Sequence, residues 1–280
     1  MKGYITYIDI KIHKTEGGSM NLLQFNILDG CPDKDRFQKF DNWMKKQDYD
    51  AIGFNELNGW NADKLERKSK EWGYDYSYIF EMETSPYFVG VISKHPLEVI
   101  NTDEDNFYHG LLHVKTKGTH ILIAHLTPFE SAMREKETAK IAEFVQGMTE
   151  PVVVMGDMNT LSPLDKDYYE KENIATYLAD KKVLANQHLV DGKINYTPMN
   201  TLLQAGLYDI GFLGDFTSSF PSSLKHDLTK ARQLRIDYVL VNGVFMKSHP
   251  IAEIIKNEEV EELSDHYPIQ SISYLDEGEL

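Results

Sequence analysis

The sequence predicts an α/β chain built from two mostly antiparallel sheets, packed face to face with helices outside. Three observations carry that expectation. Strand-like segments outnumber helical ones, and many are joined by short turns. Residues 151–155 are apolar without interruption, the mark of a strand covered on both faces. A purely parallel sheet fits poorly, because parallel neighbours need long crossovers rather than tight turns. Paired sheets covered by helices fit better.

Taken in order, residues 22–28 read as a strand. Phe37, Phe40 and Met44 fall at i, i+3 and i+7, the spacing of an amphipathic helix. Residues 50–54 form a short apolar strand running into Asn55 and Glu56, and a charged helix over 61–72 is stopped by Gly73. Segments 76–81, 88–93 and 97–100 lack helical spacing and read as strands. Residues 111–115 and 120–126 flank Thr116, Lys117, Gly118 and Thr119, a hairpin signal. Ile141, Phe144, Val145 and Met148 mark another helix. Residues 160–223 are the least regular, with helices predicted near 168–178 and 198–206, and segments 235–242 and 268–274 are the last strands.

No repeat, low-complexity tract or linker interrupts residues 20–274, so a single catalytic domain over 20–280 is expected. Residues 1–19 stand apart. Ile5, Tyr7, Ile10 and Ile12 suggest a strand, and Gly17, Gly18 and Ser19 precede Met20 in the manner of a tag and linker before a native start. An extra N-terminal edge strand is the other reading, and these residues are given no part in the chemistry.

At 280 residues, 41% hydrophobic and 26% charged, the chain has the balance of a globular protein rather than a disordered one. No apolar run approaches the ~20 residues that span a bilayer, and the first residues lack the apolar block of a secretory signal. Cys31 is the only cysteine, which excludes an internal disulfide and favours a reducing, cytoplasmic setting; a monomer is expected. Lysine and arginine number 29 against 44 acidic residues, a net charge of −15 that repels nucleic acid in general without forbidding a locally basic cleft.

Polar residues recur at the ends of the apolar strands, where a sandwich gathers them at one rim. They are Asn26, Glu56 and His125, the quartet Gly156, Asp157, Met158 and Asn159, then Arg235 with Asp237, and Ser264 with Asp265 and His266. Each alone has a plain explanation as turn or capping chemistry. Asp237 does not, because a carboxylate inside an apolar strand is costly unless a cation or several donors satisfy it.

Phosphoester hydrolysis links the set. It needs a hard cation, and hard cations take carboxylate and amide oxygens, the ligand type that Asn26, Glu56 and Asp265 supply. It needs a group to position or deprotonate water, for which Asp157 is suited. Donors around the phosphorus can come from His125, Asn159 and His266, and Asp237 is the carboxylate partner expected for His266.

This ordered set resembles the endonuclease/exonuclease/phosphatase superfamily, which includes DNase I, abasic-site endonucleases, sphingomyelinases, inositol polyphosphate 5-phosphatases and deadenylases. The resemblance spans about residues 20–274. It implies a four-layer, DNase I-like α/β sandwich and catalysis with Mg2+ or Mn2+. It implies that Glu56 is the principal metal ligand, that Asn26 helps to hold the metal or the Asp157 carboxylate, and that Asp265 lies near the metal. Asp157 aligns water, Asn159 sits beside the phosphate, Asp237 and His266 act as a pair, and His125 contacts the phosphate or the leaving oxygen. Whether Asp157 or His266 takes the proton stays open. Two departures stand out: Asn55 where glutamine is usual, and Met158 where phenylalanine or leucine is usual. Neither is expected to touch a catalytic group.

Nucleic acid is the leading substrate class, with a small-molecule or lipid phosphoester as the alternative and a catalytically inactive binding module as the third reading. Lys225, Lys230, Arg232 and Arg235 form a basic cluster leading into the Asp237 strand, and Arg232 and Arg235 are expected to bind the anionic substrate. The cluster of Lys64, Arg67, Lys68 and Lys70 reads as a solvated helix face. His109 and His113 lie in the hairpin pattern and are expected to be ordinary surface histidines, as are His95, His188, His226 and His249. Trp60, Tyr87, Phe129 and Phe220 are aromatics near the rim, with Trp60 either stacking on substrate or capping the core.

Overall fold

The computed structural model describes residues 20–273; the N-terminal tag-or-strand segment and Tyr274 of the last predicted strand lie outside them. The strands are β1 (Leu22–Asn26), β2 (Ala51–Asn55), β3 (Tyr76–Phe80), β4 (Val89–Ser93), β5 (Glu98–Asp103), β6 (Leu111–Thr116) and β7 (Thr119–His125). They continue as β8 (Val152–Asp157), β9 (Leu189–Val190), β10 (Lys193–Ile194), β11 (Leu207–Asp209), β12 (Asp237–Asn242), β13 (Pro250–Ile254) and β14 (Ile269–Ser273). The helices are α1 (Lys34–Met44), α2 (Ala62–Glu71), α3 (Ser131–Val145), α4 (Lys166–Lys171), α5 (Ile174–Ala179), α6 (Lys182–His188) and α7 (Thr197–Gln204).

One six-stranded sheet runs β13-β14-β1-β2-β4-β3 and the other β11-β12-β8-β7-β6-β5, with β9 and β10 as a separate small pair. Each large sheet contains one parallel pair, β1 with β2 and β7 with β8, and its other pairs are antiparallel. The parallel pairs are where the chain needs a crossover, and α1 and α3 supply it. Asp33 and Asn61 cap α1 and α2 by accepting hydrogen bonds from Arg36 N and Lys64 N, and Gly73, at φ +88°, lets the chain leave α2 in the left-handed region.

Alternation along the strands sorts their side chains between layers. Leu22, Ala51 and Val91 from the first sheet meet Ile121, Ile123, Val153 and Met155 from the second. On the outer face of the first sheet, Leu23, Phe25, Ile52 and Phe54 pack on Phe40 and Trp43 of α1 and Leu65 of α2. On the outer face of the second, Leu122, Val154 and Leu240 pack on Ile141 of α3 and Leu202 of α7. Both faces of the central strands are therefore dry, which is why their sequences read as continuous apolar runs. The result is the expected four-layer α/β sandwich. Among the described residues, no helix is long and apolar enough to cross a membrane.

Asp41 ties α1 to α2 from beneath. Its carboxylate accepts hydrogen bonds from Lys45 (2.5 Å), Lys68 (2.8 Å) and the Trp72 indole (3.0 Å). Burial alone would raise its pKa, but these three donors overcome it and bring it to about 2. A depressed acid stabilises the fold above its unfolded pKa near 4 and loses that contribution as pH falls toward 2. Asp41→Asn should therefore cost about 1 kcal/mol at pH 7, discounted because Lys45 is half exposed, and almost nothing at pH 2. Urea unfolding of both proteins at the two pH values measures this; an equal difference at both would show that the charge is not the source.

Candidate active site

Strand register brings the polar residues to one edge. Asn26 lies opposite Asn55 at the ends of β1 and β2, while Asp157 lies opposite both His125 and Asp237 at the ends of β8, β7 and β12. These are the C-terminal ends of the two parallel pairs, the position where α/β sheets open a crevice. Glu56 follows Asn55 directly and sits at φ +61°, a left-handed conformation costly for a glutamate. Gly156 is required where it is: a Cβ there would meet Ala124 O at 1.8 Å, and its φ is +148°.

The centre of the arrangement is Asp157 Oδ2. Asn26 Nδ2 donates to it at 3.2 Å, and the Nε2 atoms of His125 and His266 lie 3.6 Å and 3.8 Å away. The same Asn26 Nδ2 donates to Glu56 Oε1 at 3.0 Å, so one amide spans both carboxylates, while its oxygen accepts from Leu28 N. Glu56 Oε2 accepts from Asp29 N at 2.8 Å. Asn159, at φ +46°, donates its backbone N–H to Asp157 Oδ1 (2.9 Å) and its side-chain amide to Leu126 O. His266 Nδ1 bonds Asp237 Oδ2 at 2.8 Å, and Ser219 Oγ accepts from the backbone N–H groups of Ile236 and Asp237.

Burial dominates the electrostatics. It raises the pKa of Asp157, with the neighbouring Asp237 charge adding to the effect, and it raises Glu56, where Asp265 adds repulsion. His266 is driven the other way: burial would lower it, but Asp237 and Asp157 hold it well above the ordinary histidine value. His125 is kept neutral first by burial and further by the cationic His266 nearby.

Donor atoms of Asp157, Asp237 and His266 lie within 4.8 Å of one another, yet the Asp237–His266 hydrogen bond already satisfies that pair. Glu56 and Asp265 are a second pair of acids at this edge: the Asp265 charge adds to the rise in the Glu56 pKa, and Asp265 Oδ1 is buried with no hydrogen-bond partner. An orphaned carboxylate oxygen is the donor type that a hard divalent cation takes.

A sequence profile described as the Endonuclease/Exonuclease/phosphatase family matches residues 23–266. The chain belongs to that family. No curated protein matched it by sequence. Solved structures do match: an AP endonuclease from Archaeoglobus fulgidus at 16% identity and TM-score 0.67, and a 3' phosphatase from Neisseria, NExo, bound to product DNA hairpin, at 17% and 0.68. The 3'-5' exonuclease NExo from Neisseria meningitidis matches at 15% and 0.68, and in all three cases the match covers 91% of this chain and 100% of the other. Identity this low speaks for the shared fold alone.

Against this endonuclease/exonuclease/phosphatase framework several expectations need correction. Arg235 does not face substrate. Its guanidinium is buried, bonding Asp165 Oδ2 (2.8 Å) and both oxygens of Asp209 (2.9 and 2.7 Å), and serves as an internal ion-pair hub. The rest of the basic cluster is also paired: Lys230 with Asp227 (3.1 Å), Lys225 with Asp29 (3.7 Å), and the half-exposed Arg232 with Glu172 (3.9 Å). His109, His113 and His188 are buried, not surface, histidines. Trp60 caps the core, with its indole N–H on Gly30 O.

Asn55 is the residue most undervalued by sequence. Its Oδ1 accepts from Asp157 N (2.8 Å) and Gln24 Nε2 (2.7 Å), and its Nδ2 donates to Ala124 O (3.0 Å). Contrary to expectation, it does touch Asp157, the residue expected to align water, and it crosses from the first sheet to the second. Met158, by contrast, stays in the core. The signal for Asn55 was present, since an amide at the end of an apolar strand needs a buried partner.

Asn55→Ala should leave three buried polar groups unsatisfied and cost about 3 kcal/mol. Guanidinium unfolding measures the loss; a change below about 0.5 kcal/mol, the range of ordinary surface substitutions, would show that water replaces the amide.

Proposed function

We propose that the chain is a divalent-metal-dependent hydrolase of phosphate esters, acting most directly on nucleotide-type phosphodiesters with Mg2+ or Mn2+. The observation that carries this is the convergence of Asn26, His125 and His266 on Asp157 Oδ2, beside the orphaned Oδ1 of Asp265. Glu56 and Asp265 are the residues that would hold the cation, and when bound it would neutralise charge on a phosphoryl oxygen. Asn26 presents N–H rather than oxygen to Glu56 and Asp157, so its part is to position the two carboxylates.

The chain's own residues then divide the work. Asp157 Oδ2 accepts a proton from a water placed among its three surrounding donors. Its raised pKa makes it a stronger base than an exposed aspartate, while Asn55 and Asn159 keep the carboxylate oriented. His266, held cationic by Asp237, donates through Nε2 toward phosphoryl oxygen, and His125, held neutral, offers a hydrogen bond to the phosphate or the leaving oxygen. Asn159 borders the same space, and its backbone bond to Asp157 is its clearest contribution.

Nucleic acid as substrate draws support from neighbours named as an AP endonuclease and as a 3' phosphatase bound to product DNA hairpin. A small phosphoester is favoured by a different observation: among the described residues, no lysine or arginine lines the recess that opens beside the site. A net charge of −15 and the internal pairing of Arg235 point the same way, toward short substrates and weak salt dependence. An inactive binding module is disfavoured, because Glu56, Asp157, Asp265 and His266 are all present.

Turnover of a dinucleotide should require Mg2+ or Mn2+, vanish in EDTA and return on adding metal back. His266→Ala and Asp157→Asn should each lower kcat by about a thousandfold or more. Steady-state assays with both metals decide it; full activity in EDTA sinks the metal reading, and an unchanged Asp157→Asn rate revives the binding module.

A further inference from the structure

Beside His125 the catalytic edge opens into a recess of about 450 Å³, within the roughly 300–1,000 Å³ of small-ligand pockets. Two features of its wall are informative. One is a ladder of rings built outward from His125. His109 stacks on it (centroids 4.4 Å apart, 26° between planes), Tyr87 and Tyr108 meet His109 edge-on at 4.9 and 4.7 Å, and Phe129 meets Tyr108 at 5.1 Å. The other is its charge. Glu56, Asp157 and the cationic His266 stand at the catalytic border, the remaining polar groups are neutral, and among the described residues no lysine or arginine lines it.

We infer that this recess receives the organic part of the phosphoester, a flat, uncharged ring of nucleobase size, and that Ser85 with His109 forms its polar reading edge. The inference rests on the hydrolase reading and narrows its substrate class. Away from His266 a second phosphate would meet no lysine or arginine of the described residues, whereas a ring finds faces and edges to stack against.

The placement of Ser85 and His109 supports a reading role. Ser85 Oγ bonds His109 Nδ1 at 2.7 Å, and the pair is buried. Burial lowers the His109 pKa to about 4, so at neutral pH the ring is an uncharged donor and acceptor, suited to an equally uncharged partner. Next to it His125 Nδ1 is buried without a hydrogen-bond partner. Phe220, 4.9 Å from the His266 ring, closes the recess at its other catalytic border, so a ring held there keeps its phosphate at Asp157.

The outer rungs, Tyr108 and Phe129, are 41% and 50% exposed, so both can be truncated without opening the core. Isothermal titration in Mg2+ would compare adenosine 5'-monophosphate with ribose 5-phosphate, which lacks the ring. The monophosphate should bind wild type about tenfold or more tightly than ribose 5-phosphate. In Tyr108→Ala/Phe129→Ala that ratio should fall below about threefold. Equal binding by wild type, or a ratio untouched by the double substitution, overturns the inference.

Turnover of thymidylyl-thymidine is read alongside. Ring-dependent binding without turnover sinks the hydrolase reading and leaves the recess standing, while turnover without ring preference sinks the recess alone. Release of mononucleotides from a single-stranded oligonucleotide would identify a strand end as the source of the ring; cleavage of the dinucleotide alone would identify a free nucleotide ester.

Discussion

Two amides, Asn55 and Asn26, join the two sheets at the edge where the polar residues gather. Hydrophobic contact between sheets is non-directional and would tolerate small slides of one over the other. Asn55 removes that freedom where it matters, because its oxygen and nitrogen bind Asp157 N and Ala124 O on the opposite sheet while its own strand continues into Glu56. Glu56 and Asp157 are thereby fixed to each other, through Asn55 and through the Asn26 amide that donates to both carboxylates. A glutamine, longer by one methylene, would reach these partners only if the sheets stood differently here. The departure from the commoner family residue is thus a statement about local sheet spacing.

Charge balance separates structural ion groups from chemical ones in this molecule. Arg235 lies between Asp165 and Asp209, buried with near-ideal distances, and its charge is paired within the protein. Such a cluster holds the β11–β12 region together. At the catalytic edge the count differs. Glu56, Asp157, Asp237 and Asp265 crowd around His266 as the one histidine held cationic, and an oxygen of Asp265 has no partner. Excess buried acid of this kind is tolerable when the missing positive charge arrives from outside the chain.

Much of this was legible in sequence, and the failures share a cause. The central strands were readable because burial on both faces writes itself as an unbroken apolar run, and α1 and α2 because their caps and periodicity agree. Short elements were missed: α6, the β9–β10 pair, β11 and the edge strand β13 carry too few residues for a period to emerge. The order of Asn26, Glu56, Asp157, Asp237 and His266 pointed to one rim, since Asn26 and Asp157 end strands, Glu56 follows one, Asp237 begins one and His266 lies in the loop before β14. What sequence could not tell was direction. Arg235 and Asp237 are two apart on extended chain, yet one ion-pairs with Asp165 and Asp209 and the other with His266. His109 has no motif around it, and its value depends on stacking against His125, a contact between chain segments that no local spacing encodes.

That last contact also bears on how a strongly acidic protein can handle anionic substrates at all. Long-range attraction is not available to it, since the surface field repels phosphate and the cations near the rim are paired to Asp29, Asp227 and Glu172. Affinity must then come from short-range terms. A bound cation is one, acting within a few ångströms of the phosphoryl group. Burial of an uncharged ring against Tyr87, His109 and Phe220 is the other, and it is indifferent to the surrounding field. A binding site resting on those two terms gains nothing from additional phosphates further along a strand, because each brings more repulsion and meets no lysine or arginine in the recess. On the proposed reading, this charge distribution decouples substrate length from substrate affinity.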